Sequence, residues 1–318
     1  DNYQDNEKFR EYRRLWDECP REGKVAPFPL NVDLEVTNAC NLRCPHCART
    51  QNNWGKGEVG FVDKEVVRKV IREIADKGGY CMKFSLRGEP LLHPEIVTFL
   101  KWAKDANLLD YYFNTNGMLL SQKMAREFVE MEIPRISISV GGWNEKTFEL
   151  CQAGAKMEVV RENIRYLKEY RDKKGSEYPI IRVQAVTLEE LTKHMEEFKK
   201  LWTPLSNEIG LIDFREETGK VEHTAKTCKE FKCNFLWQRL VVLWDGSTYP
   251  CLFHGVKDPQ DLYLGNVKEK SLKEMWQGEK MKELRKLHLE GGSHLSSSCA
   301  KCSYRNTEVE KIKIKNKL

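Results

Sequence analysis

Between residues 31 and 205 the chain alternates short apolar runs with amphipathic stretches, and this alternation limits the fold more than any other feature. Asn31–Val36 alternates as a strand, and a helix capped by Asp63 carries apolar residues at helical spacing. A repeated strand–helix order predicts a parallel sheet with helices packed outside it. About six units fit into this length, which is too short for a closed eight-unit barrel. We therefore predict an α/β partial barrel of six units, with its chemistry at the C-terminal ends of the strands.

The sequence changes character after residue 205, where cysteines recur among short strand and helix patterns. We predict four segments: a helical extension (1–30), the barrel (31–205), a small α+β domain (206–305) and a basic tail (306–318), whose last residues, 311–318, we expect to fray in solvent. Basic and acidic residues, 53 and 48, are too balanced to indicate nucleic-acid binding. No apolar run predicts a membrane span and no signal peptide is recognisable, so we expect a cytoplasmic protein.

Eleven cysteines are many for a chain in a reducing compartment, where clustered cysteines indicate metal binding or catalysis. Cys40, Cys44 and Cys47, here called the triad, directly follow the first predicted strand. Soft sulfur ligands select zinc or iron–sulfur, and three thiolates leave one iron of a four-iron cluster open. The zinc alternative needs His46 as fourth ligand, which its position beside Cys47 strains.

A second group of four cysteines, here called the quartet, lies in the C-terminal third of the chain. A long gap, Gly246 and four further residues separate its first two members, and a Cys-x-x-Cys pair forms the rest; the members are Cys233, Cys251, Cys299 and Cys302. Four thiolates saturate a 4Fe–4S cluster. Paired cysteines also describe zinc ribbons, so the spacing alone leaves both metals open.

The triad spacing of three and then two intervening residues resembles the signature of the radical S-adenosylmethionine (radical SAM) superfamily, with His46 at the family's aromatic-type position. The resemblance implies that the open iron binds the amino and carboxylate groups of S-adenosylmethionine. One electron, from a flavodoxin- or ferredoxin-type reductant, then yields methionine and a 5′-deoxyadenosyl radical that abstracts a substrate hydrogen.

Further stretches resemble the family in the expected order along the chain. Arg87–Pro90 is similar to the motif that binds the cofactor amino group, with Gly88 for close approach and Glu89 as acceptor. The resemblance implies weaker cofactor contacts from later strands: Asn114, Asn116, Ser137, Ser139, Arg182 and Gln184. A plain turn at Gly88 and ordinary polar barrel residues elsewhere are the alternatives.

The region around the quartet resembles the SPASM and twitch auxiliary-cluster domains, which typically also contain stretches like Leu264–Val267 and Ser271–Trp276. Full SPASM domains continue with further cysteines, and none follows Cys302. The resemblance therefore implies one auxiliary cluster, as in the twitch form of the butirosin-pathway aminocyclitol dehydrogenase. Together with the triad this predicts two 4Fe–4S clusters.

These features favour an oxidoreductase that abstracts hydrogen from a secondary alcohol of a sugar or aminocyclitol, with the auxiliary cluster as electron acceptor. Peptide modification is the enzymatic alternative, as maturation, crosslinking or epimerisation. In an epimerase Cys151 or Cys228 would return a hydrogen atom to the substrate. A zinc-stabilised binding protein without catalysis is the alternative outside enzymology. The histidines besides His46, including His288, have no interpretable partner spacing.

Overall fold

The computed structural model describes residues 6–51, 59–214, 227–253, 256 and 259–315. Within these ranges there are nine strands and fourteen α-helices. The strands are β1 (Asn31–Leu34), β2 (Cys81–Lys83), β3 (Asp110–Thr115), β4 (Arg135–Ser139), β5 (Ile180–Thr187), β6 (Glu208–Asp213), β7 (Arg239–Val242), β8 (Ser247–Tyr249) and β9 (Gly265–Asn266). The helices are α1 (Glu7–Glu22), α2 (Ala48–Gln51), α3 (Lys64–Asp76), α4 (Ile96–Asp105), α5 (Gln122–Glu130), α6 (Glu145–Cys151), α7 (Met157–Lys173), α8 (Glu189–Lys193), α9 (Met195–Trp202), α10 (Phe235–Gln238), α11 (Leu272–Gln277), α12 (Glu279–Leu289), α13 (Ser297–Lys301) and α14 (Ser303–Lys315).

Local sequence signals account for where several helices begin. The Asp63 side chain accepts a hydrogen bond from the Glu65 amide and so caps α3, as predicted. Ser271 and Glu274 form a reciprocal capping box at the start of α11. Helix α1 continues through Pro20 and is terminated by Gly23, its C-cap residue, with φ of 70°. Proline is tolerated there because it lies in the last turn, where only one backbone hydrogen bond is lost.

Two compact units are present, and the first contains the four strands β3 to β6. Their spatial order is β6-β5-β4-β3, and each neighbouring pair is parallel. The register places Asn114 of β3 beside Ser137 of β4, and Ser137 beside Arg182 of β5. Helices α4 to α9 belong to this unit, and their aromatic side chains, Phe99, Phe128 and Trp202 among them, are fully buried.

The second unit combines residues up to Leu34, residues 62–82 and the described residues after 215. Strand β7 pairs in parallel with β1, and β8 and β9 continue the sheet as antiparallel neighbours. Buried indole groups anchor the helices of this unit: the Trp276 Nε1–H donates to the Ala26 carbonyl at 2.8 Å. The carboxylate of Glu73 on α3 accepts from the Leu272 amide at 2.7 Å.

The predicted fold class, an α/β partial barrel followed by an auxiliary domain, is confirmed. The sixth barrel strand, β6, lies beyond the predicted barrel end at residue 205 and pairs with β5. The predicted domain boundaries otherwise stay predictions. The expectation that residues 311–318 fray is wrong as far as Lys315, because these residues continue helix α14, although Lys311, Ile314 and Lys315 are exposed to solvent. No helix within the described ranges is long and apolar enough to cross a membrane.

Candidate functional site

The triad occupies the loop between β1 and the short helix α2. Each of its side chains is partly buried, and the Leu42 amide donates to Cys40 Sγ at 3.4 Å. Burial raises the pKa of the Cys44 thiol to about 12, with a smaller contribution from nearby Cys47 and Cys40. Burial also raises the pKa of Cys40. Burial therefore favours the protonated thiol at Cys40 and at Cys44, and binding iron would release these protons.

Cys151, predicted as a possible hydrogen donor, lies close to the triad. It ends helix α6 and is one of the groups whose proximity raises the pKa of Cys44. A Cβ built on Gly141 would lie 2.6 Å from Cys151 Cβ, so only glycine at the end of β4 allows this approach. His46 is half-buried in the triad loop, and burial lowers its pKa.

Gly88 is required because the chain passes directly against the backbone before the triad. A Cβ on Gly88 would lie 2.2 Å from the Thr37 carbonyl oxygen and 2.5 Å from that of Ala39. The next residue completes the junction, since the Glu89 amide donates to the Ala39 oxygen at 2.7 Å. The segment that resembles the amino-group motif is thus fixed to the loop that leads into Cys40.

The Glu89 side chain is the most unusual acid of this unit because it is 2% exposed and has no positively charged partner among its hydrogen bonds. One carboxylate oxygen accepts from Thr115 Oγ1 at 2.7 Å and from the Leu91 amide, and the other accepts from the Asn116 amide at 2.8 Å. Burial raises the pKa of Glu89 to about 7, although these three hydrogen bonds lower it. The carboxylate is therefore poised to gain from a ligand that brings N–H donors.

Two residues around Glu89 carry no separate signal in the sequence. Thr115 lies between the predicted Asn114 and Asn116, and its hydroxyl both donates to Glu89 and accepts from the Gly117 amide. Asn41, inside the triad loop, accepts from Asn116 Nδ2 at 2.9 Å. The end of β3 is therefore tied both to the amino-group motif and to the triad loop.

A buried ion pair holds the start of the same motif. The Arg87 guanidinium donates two hydrogen bonds of 2.6 Å to the two oxygens of Glu35, whose side chain is fully buried. This bidentate geometry is the strongest that an arginine makes with a carboxylate. Arg87 therefore positions the motif through Glu35 and stays engaged there.

The remaining predicted cofactor contacts lie along neighbouring strands. The Asn114 amide donates to Ser85 Oγ, whereas Asn114 Oδ1 is buried and accepts no hydrogen bond within the described residues. Ser137 is buried beside it in the register. Ser139 Oγ contacts Gln184 Nε2 at 3.3 Å. Buried Asn114 Oδ1 and the Glu89 carboxylate are two acceptors that a cofactor with donor groups would satisfy.

Arg182 lies one strand further along, on β5. Its guanidinium faces Glu208 of β6 at 3.7 Å and covers Gly210, where a Cβ would lie 2.4 Å from one of its nitrogens. Arg182 is thus held within the sheet by β6. Its role in cofactor binding stays a prediction.

The quartet forms a second site, entirely within the other unit. Its four cysteines line one cavity together with apolar side chains, among them Phe231, Phe253 and Leu262. Burial raises the pKa of Cys233, Cys251 and Cys299, and the neighbouring thiols raise those of Cys233 and Cys251 further. No three His, Cys, Asp or Glu side chains in the described part of the chain are placed around a single ion. Four soft donors around an apolar cavity fit a 4Fe–4S cluster.

Cys228 lies beside the quartet. It is buried in a small apolar cluster with Phe231 and Val309, and Cys233 packs against this cluster. Its Sγ donates to the Glu230 carboxylate at 3.4 Å. The two predicted hydrogen donors therefore differ in their surroundings: Cys151 lies by the triad and Cys228 packs beside Cys233.

His288 and Arg305 also line the quartet cavity and were not singled out from the sequence. His288 Nδ1 accepts from the Cys233 amide at 3.2 Å. Burial, and then the charge of Arg305, lower the pKa of His288 to about 4. Nothing in the local sequence marks His288, which lies 55 positions from Cys233, whereas Arg305 follows Cys302 by only three positions.

Comparison with known proteins agrees with this geometry. The family model of the radical SAM superfamily matches residues 34–198, and that of the SPASM iron–sulfur cluster-binding domain matches residues 233–303. The chain is 27% identical to the tungsten-containing aldehyde ferredoxin oxidoreductase cofactor-modifying protein of Pyrococcus furiosus, over 86% of this chain and 87% of that protein.

Solved structures share the fold at low sequence identity. BtrN in complex with AdoMet and 2-DOIA is 19% identical with a TM-score of 0.57, covering 85% of this chain and 91% of that one. Streptococcus suis SuiB bound to its precursor peptide SuiA is 15% identical with a TM-score of 0.66, covering 92% and 74%.

The matched families fix the cofactor classes. A radical SAM domain uses S-adenosylmethionine and a 4Fe–4S cluster, and a SPASM domain carries auxiliary iron–sulfur chemistry. The second match covers all four quartet cysteines, which favours iron–sulfur over the zinc alternative there. With its first match spanning the triad and the strands that follow it, the chain belongs to the radical SAM superfamily.

Proposed function

We propose that the chain is a radical SAM oxidoreductase that converts a secondary alcohol of a small polar molecule, of the sugar or aminocyclitol class, into a ketone. The observation that carries the proposal is the complete ligand set of the quartet: four thiols line one apolar cavity. A cluster with four protein ligands has no open iron for substrate, so it is suited to electron transfer. Alcohol oxidation by a radical route needs such an electron acceptor.

The triad region contributes binding and orientation. When bound, S-adenosylmethionine and the triad cluster supply the radical that abstracts one hydrogen atom from the carbinol carbon of the substrate. Glu89 accepts hydrogen bonds from the cofactor amino group, and Asn114 Oδ1 offers a second acceptor. Gly88 and the Arg87–Glu35 pair fix Glu89 relative to the loop that carries the triad. Ser137, Ser139 and Arg182 are proposed as further contacts.

The quartet site accounts for the electron that leaves the substrate radical. After the hydrogen atom has left, the carbinol radical gives up the hydroxyl proton and one electron to become a ketone. The proton goes to solvent, and a cluster held by the four quartet cysteines would supply the acceptor for the electron. A flavodoxin- or ferredoxin-type protein supplies the electron that starts each turnover, as generally needed by this family. The overall change in the substrate is the loss of two hydrogens.

The Pyrococcus furiosus relative, which is similar over most of both chains, supports a small substrate. That protein is named for modifying the cofactor of a tungsten-containing enzyme, and the similarity extends over 86% of the present chain. Peptide modification is the competing outcome of the experiment.

The test is to incubate the reconstituted, reduced enzyme with S-adenosylmethionine and candidate sugars, aminocyclitols and peptides, in water and in deuterium oxide. We expect 5′-deoxyadenosine in equal amount to a product two mass units lighter. A deuterium placed at the substrate carbinol carbon should appear in 5′-deoxyadenosine. Because no hydrogen returns to the product, Cys151→Ala and Cys228→Ala should retain turnover.

The contrary result is equally clear. A product of unchanged mass in water that gains one unit in deuterium oxide would identify an epimerase. Loss of that product in Cys151→Ala or Cys228→Ala would then assign the hydrogen donor. A mass change found only with peptides would establish peptide modification.

A further inference from the structure

His288 of helix α12 lies in the interior of the quartet unit, with 1% of its surface exposed. Its Nδ1 accepts a hydrogen bond from the backbone amide of Cys233 at 3.2 Å. An imidazole nitrogen that accepts a hydrogen bond carries no proton, so the ring is neutral and its single proton resides on Nε2. The contact with the Cys233 backbone thereby determines which nitrogen is the donor.

The Nε2–H has no acceptor within the part of the chain that the structure describes, although it is buried. Such an unpaired donor is unfavourable, and buried polar groups normally have partners. The cavity that His288 lines also contains Cys233, Cys251, Cys299 and Cys302. The sulfurs of a cluster held by these cysteines would be acceptors for this donor.

We propose that His288 donates its Nε2–H to a sulfur of the auxiliary cluster and raises the reduction potential of that cluster. The proposal rests on the proposed assignment of the quartet as cluster ligands. A donor hydrogen bond stabilises the more negative, reduced state and so favours acceptance of the electron that the substrate radical gives up. His288 is a positioning residue, because it acts on the electron acceptor and touches no substrate.

Arg305, which also lines the cavity, acts in the same direction. Its guanidinium is 2% exposed and interacts electrostatically with Cys299 and Cys302. A buried positive charge also favours the reduced cluster. His288 and Arg305 together would give this cluster a higher reduction potential than that of a cluster surrounded by apolar groups alone.

The experiment uses the full chain with the triad changed to alanine, so that after anaerobic reconstitution only the quartet cluster remains. The midpoint potential is measured by EPR-monitored titration in this parent, in His288→Phe and in His288→Gln. We expect His288→Phe to lower the equilibrium constant for reduction about tenfold, which corresponds to 59 mV for one electron. Glutamine supplies both an acceptor for the Cys233 amide and an N–H donor, so His288→Gln should stay near the parent.

Pulsed EPR of the same parent, with 15N in the histidine rings, tests the contact without any change at His288. We expect one ring nitrogen coupled to the reduced cluster, with the coupling absent in His288→Phe. His194→Phe, which removes a ring stacked on Trp143, is the matched control and should change neither coupling nor potential.

The outcomes separate the two levels of the proposal. A parent that binds no cluster would overturn the quartet assignment and this inference with it. A parent that binds four iron atoms but shows no histidine coupling, or an unchanged potential in His288→Phe at full iron content, would overturn the role of His288 alone.

Discussion

Replacement of Glu89 by glutamine should weaken binding of S-adenosylmethionine in a strongly pH-dependent way. Burial raises the pKa of Glu89 from 4.5 to about 7. Without ligand, the folded state therefore favours the protonated Glu89 side chain. The contribution of this side chain to the free energy of unfolding is fully present below pH 4.5 and is lost as the pH rises through about 7. Only the ionised carboxylate has full acceptor capacity for the cofactor amino group, so binding and ionisation are linked.

The size of the effect follows from this pKa. Glu89 is about one tenth ionised at pH 6 and about nine tenths ionised at pH 8. The dissociation constant of S-adenosylmethionine for Glu89→Gln, divided by that for wild type, should therefore grow close to tenfold from pH 6 to pH 8. At pH 8, loss of a charge-assisted hydrogen bond of about 1.5–3 kcal/mol corresponds to roughly 10- to 150-fold weaker binding. Taking the ratio cancels any ionisation of the cofactor itself.

Anaerobic equilibrium dialysis with labelled S-adenosylmethionine measures these constants, on reconstituted protein without reductant so that no cleavage occurs. Iron content is determined in every sample, because loss of the triad cluster would also weaken binding. Glu169→Gln, at an exposed position of α7, is the matched control and should leave the ratio near one at both pH values. A ratio for Glu89→Gln that stays constant from pH 6 to pH 8 would refute the reasoning.

Three further outcomes are expected. Anaerobic reconstitution should give about eight iron atoms per chain, and about four when all quartet cysteines are alanine; four in both cases would contradict the auxiliary site. Alanine at any single triad position should abolish 5′-deoxyadenosine formation under dithionite, because fewer than three protein ligands remain, and substantial cleavage would disprove the triad assignment. Gly88→Ala should lower the thermal unfolding midpoint and cofactor affinity together, because its Cβ would lie 2.2 Å from the Thr37 carbonyl oxygen; unchanged values for both would show that the backbone yields freely.

The parts of the site that could be predicted are those written in consecutive residues. The triad spacing and the Gly88-Glu89 pair lie within single loops, and the strands before them follow from apolar alternation. Helix α12 is also delimited by local sequence, because Gly278 lies at its N-cap and its buried residues recur at helical spacing. Local sequence is informative where the structure depends mainly on local contacts.

The rest depends on contacts between distant residues. The Arg87–Glu35 pair joins positions 52 apart, and the His288–Cys233 contact joins positions 55 apart. Strand β6 contains Gly210, which weakens a strand pattern; the structure explains it, because Arg182 of β5 occupies the space of a side chain. These pairs of residues can be identified only in the folded structure.

The quartet is drawn from three places in the chain: its first two members lie 18 positions apart, and its second and third members lie 48 positions apart. A cluster held by them would close two loops, as a pair of crosslinks does, and would restrict the unfolded ensemble far more than the folded one. For disulfides, closure of loops of this length is associated with roughly 3–4 kcal/mol each. Iron insertion would thus stabilise the folded state, and chains that receive no iron should be degraded faster in a cell than chains that hold the cluster.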